Sequence, residues 1–298
     1  MAHIAPAPAA GADPSAPASP PPASVIVRSK DRADTIERTL RALRRQTVTP
    51  EIVVVDSGSR DATVRIARRF CDALCEIRPE QFSYGGALNT GARMATAPVH
   101  FALSAHCAPS SPEWIERALA HYRDPAVAAT AGVLNFPDRT PLGGPHRLAD
   151  AAFARAHRFW GYSNHAGSWR AEVWRAIPFD ERLPAAEDRE WSWRVLDAGW
   201  QIMLDPALRV EPGHRARESW SAWYRRNRRE MAAHAQFEHE LSYDVGDLLE
   251  DWWSGLELGS RQLLSPRRAV GLLGRYAGAR VGRPRPPSPI LASTEPST

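Results

Sequence analysis

The stretch Glu51–Thr63, EIVVVDSGSRDAT, constrains the fold more than any other part of the chain. Ile52 to Val55 is an unbroken run of β-branched apolar residues. Such a run reads as a strand buried on both faces, as in a parallel sheet covered by helices. It stops at Asp56-Ser57-Gly58-Ser59, and apolar residues resume at helical spacing at Val64, Ala67 and Phe70. Ser59 or Asp61 is available as the N-cap of that helix. Strand, polar turn and helix in this order place ligands beyond the carboxyl ends of the strands in an open α/β sheet. Asp56 stands at that edge. It can accept hydrogen bonds from a nucleotide base or ribose, or it can simply hold the turn.

The flanking segments repeat the pattern. Ser24–Arg28, SVIVR, reads as a first strand, and Leu74–Ile77 as a third. Asp34-Thr35-Ile36-Glu37 has capping-box spacing, and Ile36, Leu40 and Leu43 make an apolar helical face. The β-α-β-α-β order predicts a right-handed, mostly parallel sheet. Phe82–Gly91, FSYGGALNTG, brings two glycines into a helix extending toward Ala97. Glycines there permit close backbone approach to a ligand, or only tight packing. Val99–Ser104 reads as a further strand ending in Ser104-Ala105-His106-Cys107, and Ser111-Pro112-Glu113 opens the next helix. His106 at a strand's carboxyl end suits a metal, a phosphate or a backbone partner.

Val127–Leu134 reads as a strand, Phe136–Pro145 as a Pro/Gly-rich loop, and Asp150–Arg158 as a helix. Phe159–Arg170, FWGYSNHAGSWR, reads as an aromatic and polar loop of the kind that covers sugar rings and bonds their hydroxyls. Glu187 and Asp188 stand just ahead of a helix with Trp191, Val195 and Leu196 as its apolar positions. Two carboxylates there can cap the helix or supply a general base. Gln201–Leu204 and Leu208–Val210 predict a strand or hairpin, with His214 shortly after, and Ser219–Phe237 a strongly basic helix.

The 298-residue chain, 43% hydrophobic, can bury a substantial core. It contains no run of about 18 apolar residues, so no membrane span is expected. Residues 1–23 read as a Pro/Ala-rich disordered leader without signal-peptide character, and the expected compartment is the cytoplasm, with the inner membrane face as an alternative. Residues 24–237 form the expected catalytic domain, 238–283 a helical extension and 284–298 a disordered tail. The extension carries Trp252, Trp253, Leu272 and Leu273 among arginines, a pattern for packing, homodimerisation or peripheral membrane contact. Cys71, Cys75 and Cys107 form no CxxC pair and read as free thiols. A net charge of +4 favours anionic partners, but no nucleic-acid motif accompanies it.

The order SVIVRSKDRADTIERTLRALRRQ, EIVVVDSGSRDAT, FSYGGALNTGARMA, VHFALSAHCAP and AEDREWSWRVLDAGW resembles the family 2 glycosyltransferases, in particular the rhamnosyltransferase-like branch. The resemblance covers roughly residues 24–225. It implies a GT-A fold, a nucleotide-diphosphate sugar donor, inversion at the anomeric carbon and a glycan or lipid-linked acceptor. By that resemblance Arg28 and Lys30 line the mouth of the nucleotide site, Asp56 and Ser57 meet the base or ribose, and Asn89, Gly91 and Ser104 lie near the donor. Asp188 matches the catalytic base, and Glu187 orients it or an acceptor hydroxyl. Asn164 and Trp191 fall on the acceptor side. His106 and His214 are the candidate ligands of Mg²⁺ or Mn²⁺.

One departure stands out. Ser104-Ala105-His106 occupies the place of the family's Asp-x-Asp metal motif, and hard cations prefer carboxylate oxygen. The same substitution is the feature that admits a non-catalytic nucleotide-sugar or glycan-binding protein as the alternative. A nucleotidyltransferase is disfavoured because SVIVRSKDRAD has no glycine-rich activating loop.

Overall fold

The computed structural model describes residues 21–134, 147–156, 162–212, 219–237, 244–246, 248–249 and 266–281. Strand β1 (Ser24–Ser29) leads to helix α1 (Ile36–Arg44), β2 (Glu51–Asp56), α2 (Thr63–Ala67) and β3 (Ala73–Glu76). Then come α3 (Tyr84–Met94), β4 (Val99–Ser104), β5 (Cys107–Pro109), α4 (Trp114–His121) and β6 (Val127–Leu134). The described second half holds β7 (Arg147–Ala149), α5 (Ala151–Ala156), β8 (Gly167–Arg170), α6 (Ala171–Ala176), α7 (Glu187–Asp197), β9 (Gln201–Pro212), α8 (Trp220–Phe237) and α9 (Pro266–Ala279).

All the strands belong to one mixed sheet in the order β3-β2-β1-β4-β8-β6-β9-β5, with β7 paired to β9. The first four are mutually parallel. Direction reverses at β8, which is antiparallel to both β4 and β6. Side chains alternate across the parallel strands. Ile26, Val53 and Val55 point to one face, against Leu88, Trp169 and Trp191. Val25, Val27, Ile52 and Val54 point to the other, against Ile36, Leu40 and Ile115. Burial on both faces is why the sequence shows continuous apolar runs there.

Several local expectations are corrected. The capping box does not form: Thr35 is the N-cap of α1 without a side-chain cap bond, and its hydroxyl donates to Asp34. α2 starts after Ala62, while Asp61 accepts from the amides of Thr63 and Ala33. Gly167–Arg170, expected within a loop, is a central strand. Four residues are too few to show a period, and β8 forms because β4 and β6 both offer it an edge. Of the strand or hairpin expected after Gln201, the strand forms: Gln201–Pro212 is continuous, with Asp205 Oδ1 accepting from the Ala207 amide across Pro206.

The C-terminal helix packs on the domain. α9 runs alongside α8 in the same direction, with Gly271 against Trp223, Gly274 against Asn227 and Gly278 against Met231. A Cβ at Gly274 would lie 2.7 Å from the Tyr224 carbonyl oxygen, so only glycine permits this approach. Trp223 Nε1 also donates to the Arg267 carbonyl at 2.9 Å. Trp252 and Trp253 lie outside the described residues, as does the predicted loop Phe136–Pro145. Among the described residues no helix is long and apolar enough to cross a membrane.

Candidate active site

A cleft of about 560 Å³ opens where the carboxyl ends of β1, β2 and β4 meet the N-terminus of α7. Register sets this edge: Ser29 lies beside Asp56, and Arg28 beside Ser104. Arg28, Ser29 and Lys30 from β1, Ser57 after β2, and Ser104 and His106 after β4 all line it. Asp56 itself sits behind the wall, fully buried. It accepts from Ser29 Oγ at 2.7 Å, Ser59 N at 2.7 Å and Ser59 Oγ at 2.6 Å. Of the two roles expected for it, holding the turn is the one these contacts serve: its oxygens bond the turn that presents Ser57. Lys30 Nζ clamps the same turn from outside, donating to the carbonyls of Ser57 at 2.9 Å and Gly58 at 3.2 Å.

Glu187 and Asp188 begin α7 and face the cleft. Ala186 before them is left-handed at φ 59°, an uncommon state for a residue with a side chain and a place where the surrounding structure stores strain. Glu187 is buried; Arg28 Nη1 approaches its Oε1 at 3.3 Å and Asn164 Nδ2 donates to the same oxygen at 3.2 Å. The Asn164 amide donates to Asp188 Oδ2 at 3.0 Å. Burial, with the neighbouring Asp188 charge, pushes Glu187 up to about 7, against the pull of Arg28. Asp188 is half-buried and reaches the cleft. Two adjacent carboxyls therefore occupy different environments, one sealed and paired, the other turned to the space a ligand would fill.

Some buried polar atoms at the site lack a hydrogen-bond partner. Among the described residues, Arg28 Nε, Tyr162 Oη and Asn164 Oδ1 have none. Groups of this kind in a native site mark where water or ligand atoms complete the bonding.

Other expected site residues are placed elsewhere. Asn89 is buried on α3, where its side chain donates to the Phe179 carbonyl and Glu181 and accepts from Trp174 Nε1 and the Phe179 amide. Its bonding capacity is spent on anchoring the 179–181 turn. Gly91 faces the sheet, and a Cβ there would run into Ile26 and lie 3.2 Å from Val55 Cγ2. Trp191 is fully buried among Tyr162, Trp169 and Phe179, with its Nε1 donating to Ile177 O at 2.6 Å. Asn164 supports the carboxylates from behind, while its neighbours Ser163 and His165 line the cleft.

Among the described residues the donor set makes no cage for a hard cation. Ser104 Oγ and His106 Nδ1 are 2.6 Å apart and bonded to each other. Among the described residues no three His, Cys, Asp or Glu side chains gather around one point. His214 lies outside the described residues. A hydroxyl and an imidazole are poor partners for Mg²⁺ or Mn²⁺.

The model of glycosyl transferase family 2 matches residues 24–181, more than half of the chain. This chain belongs to that family. The match ends ahead of Glu187, so the carboxylate pair and α8 lie outside the matched segment. Glycosyltransferase AglE of Haloferax volcanii is 29% identical over 193 residues, 60% of this chain and 62% of that protein. Validoxylamine A glucosyltransferase of Streptomyces hygroscopicus subsp. limoneus is 35% identical over 112 residues, 35% of this chain and 24% of that protein. The chain thus spans less than two thirds of the length of either relative. O-antigen chain rhamnosyltransferase RfbN of Salmonella typhimurium is 22% identical over 219 residues, 67% of this chain and 70% of that protein. Among solved structures, mannosyltransferase PcManGT from Pyrobaculum calidifontis, in complex with GDP-Man and Mn²⁺, superposes at TM-score 0.59. It is 20% identical, over 89% of this chain and 77% of that one. TarS 1-349 from S. aureus, in complex with UDP-GlcNAc, gives 0.54 at 14% identity, over 87% and 90%. These likenesses place the family 2 chain in the GT-A fold.

In this family 2 chain the cleft also has a wall that sequence reasoning missed. Arg226, Arg229, Glu230 and His234 of α8 line it, as do Phe82 and Tyr84 at the entry to α3. The signal was present: Arg226 and Arg229 are three apart and share one helical face. What the sequence lacks is where that face docks.

Proposed function

We propose that the chain is an inverting glycosyltransferase that moves a sugar from a nucleotide-diphosphate donor to a hydroxyl of a glycan or lipid-linked acceptor. The observation that carries the reading is the Glu187–Asp188 pair at the lip of the strand-end cleft, held by Arg28 and Asn164. Family membership and fold neighbours in complex with GDP-Man or UDP-GlcNAc support the donor class.

Asp188 acts as the general base. The acceptor oxygen attacks the anomeric carbon from the face opposite the diphosphate and gives its proton to the Asp188 carboxylate. The bond between that carbon and the phosphate oxygen breaks, and its electron pair leaves with the nucleoside diphosphate. Base catalysis of this type contributes about 10² to 10⁴ in rate. Glu187 is the positioning group: Asn164 ties the two carboxyls together, and Arg28 fixes Glu187 against the sheet edge. Ser163 and His165 form the acceptor side in this reading. Ser104 and His106, a hydroxyl bonded to an imidazole, offer no carboxylate to a hard cation.

The test is incubation of the full chain with UDP-, GDP- and dTDP-sugars and a panel of glycan and lipid-linked acceptors. Product is sought by mass spectrometry, and the anomeric configuration is read by NMR. Transfer with inverted configuration is the expected result. Donor binding with no turnover after prolonged incubation would favour the non-catalytic alternative, and a retained configuration would remove the single displacement.

A further inference from the structure

We infer that Arg226 and Arg229 of α8 bind the donor's diphosphate and meet its charge as it leaves, a role that would otherwise fall to a protein-held metal ion. The inference rests on the nucleotide-sugar reading above and adds the identity of the diphosphate site. The cleft lining carries six cationic side chains, Arg28, Lys30, Arg32, Arg189, Arg226 and Arg229, against three carboxylates, Glu187, Asp188 and Glu230. A cleft so lined selects an anion.

Two cations of the strand-end wall are already committed. Arg28 pairs with Glu187, and Lys30 Nζ is spent on the carbonyls of Ser57 and Gly58. The segment Ser104–His106 offers a hydroxyl bonded to an imidazole and no carboxylate. The α8 wall differs. Arg226 stacks on the Trp223 ring at 4.6 Å, and its Nε lies 4.0 Å from Glu230 Oε1, which fixes the guanidinium at the cleft. Arg229, on the same helical face, is exposed and has no hydrogen-bond or ion-pair partner among the described residues.

Two guanidinium groups spaced along one face of a helix match two adjacent phosphates. Each can offer a planar pair of N–H donors to a phosphoryl oxygen. When the bond to the anomeric carbon breaks, the diphosphate gains one negative charge while the acceptor proton passes to Asp188. The arginines stay protonated throughout and stabilise the growing charge electrostatically.

The experiment is calorimetric titration of the full chain with UDP, GDP and dTDP and with the matching monophosphates, in EDTA and again with Mn²⁺. Wild type, Arg229→Ala, Arg229→Lys and the Arg226→Ala/Arg229→Ala double variant are compared, with thermal melting to verify folding. The expected result is that wild type binds one diphosphate in EDTA. Arg229→Ala then weakens that diphosphate about tenfold, the value of one charge-assisted contact, and the monophosphate by about twofold or less. Arg229→Lys recovers part of the loss, and the double variant loses more than either single change. Diphosphate affinity unchanged in the double variant, equal losses for mono- and diphosphate, or wild-type binding that appears only with Mn²⁺ would overturn the inference and leave the transferase reading standing. If wild type binds none of the three diphosphates, the donor-site reading fails and this inference fails with it.

Discussion

The two walls of the cleft are built on opposite plans. On the strand-end wall the charged groups that hold the site have their partners inside the protein: Asp56 with Ser29 and Ser59, Lys30 with two carbonyls, Arg28 and Asn164 with Glu187. On the α8 wall Arg229 is exposed and without a partner among the described residues. The difference separates two tasks. A wall whose charged groups are tied to one another holds geometry before a ligand arrives, which is what positioning a base requires. A wall with an uncommitted cation keeps its charge for the ligand.

If that division is right, substitutions on the two walls fail in different ways. Arg28→Ala leaves Glu187 buried without its cation and should cost on the order of 3 kcal/mol, read as a lower urea midpoint. Arg229→Ala should stay within about 0.5 kcal/mol of wild type in the same assay, because it removes no internal contact. Equal destabilisation by both would erase the contrast.

The α8 wall depends on its docking to α9, which offers a second handle. Gly274→Leu forces a side chain into the Tyr224 backbone and should cost about 2 kcal/mol, with diphosphate affinity falling as α8 shifts. Unchanged affinity in a folded Gly274→Leu protein would mean that α9 does not position the wall.

The smallest effect is on pH dependence. Glu187 is raised from its ordinary carboxyl range to about 7, so folding takes up a proton between about pH 4.5 and 7. Its contribution to stability is complete below about 4.5 and lost as pH rises through 7. His100, buried between Trp169 and Trp174, is lowered to about 4 by burial and then by Arg175. Its contribution is complete above about 6.5 and is lost as pH falls toward 4. The two slopes oppose each other, each at most about 1.4 kcal/mol per pH unit. Glu187→Gln should therefore leave stability rising with pH from about 4 to 6.5, seen as urea midpoints at half-unit intervals. A flat profile in that variant would contradict the assignment of His100, and a profile identical to that of wild type would contradict the assignment of Glu187.

How much of this was legible depended on whether the deciding contact was local. β1 and β2 announce themselves because burial on both faces writes unbroken apolar runs, Val25–Val27 and Ile52–Val55, into them, and β4 keeps the pattern around His100. The strand-end positions of Arg28, Ser57, Ser104 and His106 follow from those runs. β8 was invisible, since GSWR is too short to carry a period and exists only between its two neighbours. Asn89 was misplaced because its partners lie at residues 179 and 181, and no helical pattern states which polar residue of α3 will be turned inward. Trp191 reads equally as a sugar platform or a core ring, and packing against Tyr162 and Phe179 decides for the core. The α8 wall has the same cause: its basic face is plain in the sequence, but its place over the cleft is a tertiary fact.

The central claim is that Asp188 is the base of a glycosyl transfer, and the most direct measurement compares donor binding with transfer in Asp188→Asn. The account predicts diphosphate affinity within about twofold of wild type and a transfer rate lower by about 10² to 10⁴. Transfer surviving within a few fold of wild type would contradict it and move the base to another group of the cleft.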